Sequence, residues 1–110
     1  MKTSLPLFSL LGACMMAMPN AQALNGDPKL GKIKAPSCVF CHGKNGVATN
    51  SAYPNLAGQS PQYLYSAMKD YQQGLRQGPN AKMMQVQLSK LTDQDLRDVA
   101  TFFASPSSAN

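Results

Sequence analysis

Cys38-Val39-Phe40-Cys41-His42 is the stretch that decides the fold. Two thiols three positions apart, followed at once by an imidazole, form the pattern of c-type haem attachment. The spacing follows from the chemistry. Each thiol adds across one vinyl group of a haem, and the next residue, His42, is held beneath the iron, where Nε2 can ligate it. Two other readings of the pattern are weaker. A thioredoxin-like dithiol expects a βαβ setting. Zinc needs a fourth ligand, and His42 is the sole histidine of the chain, with no cysteine after Cys41.

Strand material is scarce around this motif. After Ala23 the chain holds four Val, one Ile and three Thr, and none of them fall in an alternating run. The expectation is an all-α protein of three to five helices wrapped around one covalently bound haem, which supplies the apolar body that so short a chain lacks.

Upstream, Asp27-Pro28 opens a first helix, with Asp as the cap and Pro where no N–H is needed. Leu30 and Ile33 give it an apolar face, and Pro36 marks its end. Gly31 lies inside it, at a cost of ~1 kcal/mol relative to Ala, which a close helix–helix approach would explain. Downstream, residues 43–59 are rich in Gly and Asn, with Ser51 and Pro54 among them, and read as a loop that packing of Pro54 and Leu56 against the haem would order. Ser60-Pro61 starts the next helix, with Leu64, Ala67, Met68 and Tyr71 on one stripe and Gly74 at its end. A second loop covers 75–82 and leads to Met83 and Met84, and a short helical turn through Val86, Leu88 and Leu91 follows. Thr92 and Asp95 form an Asp variant of the capping box for the last helix, which carries Leu96, Val99, Ala100 and Phe103 on one face. Pro106 and a Ser-rich end stop it, leaving 107–110 as a frayed tail.

The start of the chain reads as a secretory signal. Lys2 is followed by a mostly apolar run over 5–18, then Pro19 and the small-x-small triplet Ala21-Gln22-Ala23. The run is short of the ~20 residues a membrane span needs. Leu11-Gly12-Ala13-Cys14 loosely resembles a lipoprotein box, but the apolar run continues past it and a better cleavage site follows, so Cys14 goes with the discarded segment. The expected organisation is a signal peptide over 1–23 and one haem domain over 24–110, located in the periplasm without stable membrane insertion. Cleavage leaves nine Lys or Arg against five Asp and no Glu, a formal charge of +4. Two haem propionates lower it to about +2. Such a surface suits acidic redox partners. The cations are scattered and not interleaved with aromatics, so nucleic acid is not expected.

A haem iron with histidine on one side is either open to small molecules or closed by a second ligand. Met68 sits on a core stripe. Met83 and Met84 lie in the loop that could wrap over the opposite face, and a thioether there raises the potential.

The chain resembles a soluble class I cytochrome c of the short bacterial kind, similar to one half of the periplasmic dihaem cytochromes. The resemblance is carried by Cys38-Val39-Phe40-Cys41-His42-Gly43, Pro54-Asn55-Leu56-Ala57-Gly58-Gln59, Tyr63-Leu64, Met84 and Leu91-Thr92-Asp93-Gln94-Asp95-Leu96, and covers nearly all of 27–105. It implies a small cytochrome c fold in which Cys38 and Cys41 hold haem c and His42 is the proximal ligand. It also implies that Pro54 accepts the His42 Nδ1–H bond and that Met84, seven residues before Leu91, is the sixth ligand, with Met83 the alternative. Gly31 and Phe102 match the family's contact between first and last helices. Tyr63 and Arg76 are candidates for holding the propionates, against the plainer readings of a half-buried tyrosine and a solvated arginine. Lys44 and Lys82 are candidates to flank the haem edge, against plain solvated lysines. The implied function is one-electron transfer by a non-enzymatic, monomeric carrier. The rivals are a haem subunit of a dehydrogenase or oxidase, and an enzyme or sensor with an open iron.

Overall fold

A computed structural model describes residues 24–105. The signal segment, Cys14 and the 107–110 tail lie outside the described residues. Five helices follow one another: α1 (Pro28–Lys34), α2 (Pro36–His42), α3 (Pro61–Gln72), α4 (Ala81–Leu88) and α5 (Asp93–Ala104). The described residues contain no strand. The main helix–helix packings are α1 on α5, α3 on α5 and α4 on α3.

Local chemistry sets the helix starts. Asp27 Oδ1 accepts from the amides of Lys29 (2.8 Å) and Leu30 (3.3 Å), with Pro28 opening α1. Ser60 Oγ accepts from Tyr63 N at 3.0 Å, and Pro61 opens α3. Thr92 and Asp95 close a reciprocal box, Asp95 N to Thr92 Oγ1 at 3.1 Å and Thr92 N to Asp95 Oδ2 at 2.9 Å. Each satisfies backbone donors that the first helical turn leaves without partners.

Two expectations are corrected. Pro36 does end α1, but it also opens α2, so the Cys-x-x-Cys-His motif is itself helical. Met83 and Met84 lie not in a loop but in the first half of α4, whose residues Ala81-Lys82-Met83-Met84-Gln85-Val86-Gln87-Leu88 are mostly strong helix formers. The turn residues Gly78-Pro79-Asn80 therefore stop the loop earlier than expected.

The core joins Leu24, Ala35, Leu64, Val99, Ala100, Phe102 and Phe103, with Cys38, Val39, Leu56, Tyr65 and Met68 packed against it. Gly31 is what lets α1 lie on α5. A Cβ there would sit 2.1 Å from Asp98 O and 2.7 Å from Phe102 Cβ, so any side chain would push the helices apart. Beside this contact Asp98 is fully buried. Its carboxylate accepts from Asp27 N (2.9 Å), Gln94 Nε2 (2.9 Å) and Lys34 Nζ (2.7 Å), while Lys34 also reaches Asp95 at 2.6 Å. Burial pushes the Asp98 carboxyl up, but Lys34, the Asp27 amide and Gln94 outweigh it and hold it below the ordinary carboxylate value.

Candidate haem site

Cys38 and Cys41 are three apart on α2 and His42 is four from Cys38, so all three share one side of the helix. Phe40 points away and is 90 % exposed. The two thiols are free and half-buried. Burial pushes the Cys38 thiol up, against a smaller opposing contribution from Ser37.

His42 ends α2 and is 6 % exposed. Its Nδ1–H donates to Pro54 O at 2.8 Å. A carbonyl only accepts, so this bond places the proton on Nδ1 and leaves the Nε2 lone pair free. Nε2 makes no hydrogen bond among the described residues.

The loop after α2 brings Pro54 to the ring. Gly43 caps α2 at φ +88°, and a Cβ there would lie 1.9 Å from Val47 O, so the chain can reverse tightly at this point only with glycine. The reversal is then tied across: Leu56 N and Ala57 N both donate to Gly46 O, at 2.7 and 3.0 Å, and Ala48 N donates to Asn55 Oδ1 at 2.8 Å. Leu56 ends half-buried against the core.

The other expected residues are placed as follows. Met84 is half-buried on α4 and Met83 is 39 % exposed beside it. Tyr63, in the first turn of α3, is 51 % exposed, and its hydroxyl makes no hydrogen bond among the described residues. Arg76 lies with its guanidinium 4.9 Å from the centre of the Tyr71 ring and has no ion pair among the described residues. A surface hollow of about 230 Å³ beside Arg76 is lined by Tyr71, Lys82 and Gln85 but by none of Cys38, Cys41 or His42, so it is not the site.

Pattern reading missed polar bonds that link α3, α4 and α5. Gln72 Nε2 donates to Leu88 O (2.8 Å) and Leu91 O (3.0 Å). The Tyr65 hydroxyl donates to Asp93, which also pairs with Arg97 at 2.8 Å and Lys69 at 3.5 Å, and Arg97 Nη1 donates to Leu24 O at 2.9 Å. Only the Asp93–Arg97 spacing of four could have been found from sequence.

The donor set fits covalent haem: two half-buried thiols, not joined to each other, and a buried imidazole with a free nitrogen held in one tautomer by a carbonyl. The cytochrome c family model matches residues 31–106. The chain belongs to the cytochrome c family. Its cofactor is haem c, one per chain, bound covalently with its iron. The chain is 42 % identical over 80 residues to cytochrome c-554(548) of Halomonas halodenitrificans, covering 73 % of this chain and 96 % of that one. It is 41 % identical over 80 residues to cytochrome c4 of Pseudomonas aeruginosa, covering 73 % of this chain but 38 % of that one. It is 36 % identical over 69 residues to the thiosulfate dehydrogenase electron acceptor of Stutzerimonas stutzeri, covering 63 % of this chain and 32 % of that one. This cytochrome c domain thus spans nearly the whole of one relative and well under half of the other two. No helix among its described residues is long and apolar enough to cross a membrane.

Proposed function

We propose that this cytochrome c is a periplasmic one-electron carrier, exported by cleavage after Ala23 and free of enzymatic activity. The observation that supports it most is the His42 Nδ1 to Pro54 O bond at 2.8 Å. It locks the imidazole and strengthens its outer nitrogen as a donor.

When bound, haem c supplies an iron that cycles between Fe(II) and Fe(III). Cys38 and Cys41 would hold it through thioethers, and His42 Nε2 would be its proximal ligand. Met84 on α4 would supply the second ligand to the iron, with Met83 the alternative. Leu56 and the Pro54 backbone would wall the proximal side. Tyr63 and Arg76, neither with a carboxylate partner among the described residues, are available to the propionates. With His42 and Met84 both holding the iron, little would reorganise on each transfer.

Charge placement supports acidic redox partners. Asp27 caps α1 and Asp93, Asp95 and Asp98 are in ion pairs. Lys29, Lys32, Lys44, Arg76, Lys82 and Lys90 carry no ion pair among the described residues, and so give the surface its positive sign. Lys44 lies two residues after His42 and Lys82 directly precedes Met83, where they would steer an acidic partner to the haem edge. One relative is named as the electron acceptor of a dehydrogenase. By analogy the donor here is a periplasmic dehydrogenase, met in transient contacts by a monomeric carrier.

Purification from the native periplasm tests the reading. The expected product is coloured, with a mass equal to residues 24–110 plus one haem, and its oxidised spectrum shows the weak red band of sulfur–iron ligation. A colourless product with two free thiols overturns the haem assignment. Carbon monoxide binding to the reduced protein at neutral pH overturns the closed-iron reading, and co-purification in a stable complex overturns the free carrier.

A further inference from the structure

The Gln72 side chain ties the methionine-bearing helix to α3 and to the start of α5. That helix's principal helical neighbour is α3. At that junction Gln72, the last residue of α3, donates both to Leu88 O, at the end of α4, and to Leu91 O, just before the Thr92 cap of α5. One carboxamide carries two N–H donors, and here it has two acceptors. Gln85 Nε2, from the middle of α4 and one residue after Met84, returns a longer bond of 3.5 Å to Gln72 O. The far end of α4 has a weaker tie, Asn80 Nδ2 to Ala52 O at 3.3 Å on an exposed site.

We propose that Gln72 is a positioning residue for electron transfer: it brackets the ends of α3 and α4 and the start of α5, and so holds the α4 methionine in register with the iron. This rests on the reading that α4 supplies the sulfur ligand. The physical argument is one of accounting. Leu88 O and Leu91 O lie at a part-buried junction, where a carbonyl that loses its donor costs more than an exposed one would. Without Gln72, α4 regains those bonds by shifting toward water, and Leu88, 2 % exposed, must move with it. Met84 is one helical turn before Leu88 and shares that shift.

The test uses the haem-loaded full-length product and three variants. Gln72→Leu keeps the bulk and removes the donors; Gln72→Lys keeps a donor on a side chain of similar reach; Met84→Leu removes the sulfur. In Gln72→Leu the sulfur–iron band is expected to weaken, the midpoint potential to fall, and the apparent affinity of the oxidised iron for added imidazole to rise about tenfold, as the released fraction grows. Gln72→Lys is expected to recover most of the band. An unchanged band, potential and imidazole affinity in Gln72→Leu, alongside loss of the band in Met84→Leu, overturns this proposal and leaves the ligand reading intact. A wild-type protein with no sulfur–iron band overturns the ligand reading and this proposal with it. If Gln72→Leu does not accumulate, amide exchange on the wild-type holoprotein decides. Residues 84–88 exchanging through the same slow opening as α3 support the bracket, and independent fast opening of α4 overturns it.

Discussion

The molecule has two differently held halves. In one, residues 24–31 and α1 lie along α5 through dense contact: Gly31 against Asp98 and Phe102, a buried carboxylate with three donors, and a capping box. In the other, α2, the 43–59 loop and α4 carry most of the residues assigned to the haem, and beside the packing of Cys38, Val39, Leu56 and Leu88 individual polar bonds set their positions: His42 to Pro54, Leu56 and Ala57 to Gly46, Gln72 to Leu88 and Leu91, Asn80 to Ala52. Dense packing resists all change. A single bond sets one atom's place and can be altered one atom at a time. The first arrangement suits stability and the second suits tuning of a redox site.

That contrast can be broken most directly at Gly31. Gly31→Val has nowhere to put its side chain and is expected to cost about 3 kcal/mol in denaturant unfolding, while the midpoint potential of the folded protein stays unchanged. A shifted potential would show that the α1–α5 half also tunes the iron.

Acid is the next largest perturbation. Asp95 and Asp98 are held below the ordinary carboxylate value of 3.8 (Asp95 chiefly by Lys34), and Asp93 is pulled down to about 2 by Tyr65 and Arg97. Their contributions are present above pH 3.8 and are lost as pH falls through the lowered values. Lys34 is raised above 10.5 by the same carboxylates, so its share is present below that pH and lost as pH rises through the raised value. Stability measured by thermal melts should fall as pH drops below 3.8 and again as it rises through the raised Lys34 value. Lys34→Met should reduce the acid slope, and an unaltered slope would remove the clasp from the account.

Thr92→Ala, which deletes the cap of α5, is expected to cost about 1 kcal/mol by the same unfolding assay. Smallest in energy is Asn80→Ala, at about 0.5 kcal/mol. Its expected mark is a shift in the sulfur–iron band with little change in unfolding, the reverse of Gly31→Val. Equal effects of both substitutions on both measurements would erase the distinction between the halves.

Much was legible because it is local. The caps at Asp27, Ser60 and Thr92 act within one turn of chain, and Pro28 and Pro61 announce helix starts by their missing N–H. Gly31 stood out as a costly residue in a helix, and its reason is a neighbour 67 positions away, Asp98. Gly78 and Pro79 are strong loop signals and mask the helix formers after Asn80, so sequence alone puts the methionines in a loop where the structure has α4. Asp98 looked like one acid among five, since nothing in its neighbours foretells that α1 will cover it with an amide and a lysine. Gln72 was equally silent, because an amide's worth depends on which carbonyls end within 3 Å of it.

By itself the sequence determined the attachment motif, the helical class and three of the helix starts, because those depend on covalent spacing and on bonds within a turn. Only the tertiary structure decided which proton His42 keeps, which acid is buried, and what holds α4, because each depends on groups far apart in the chain being brought within hydrogen-bond reach.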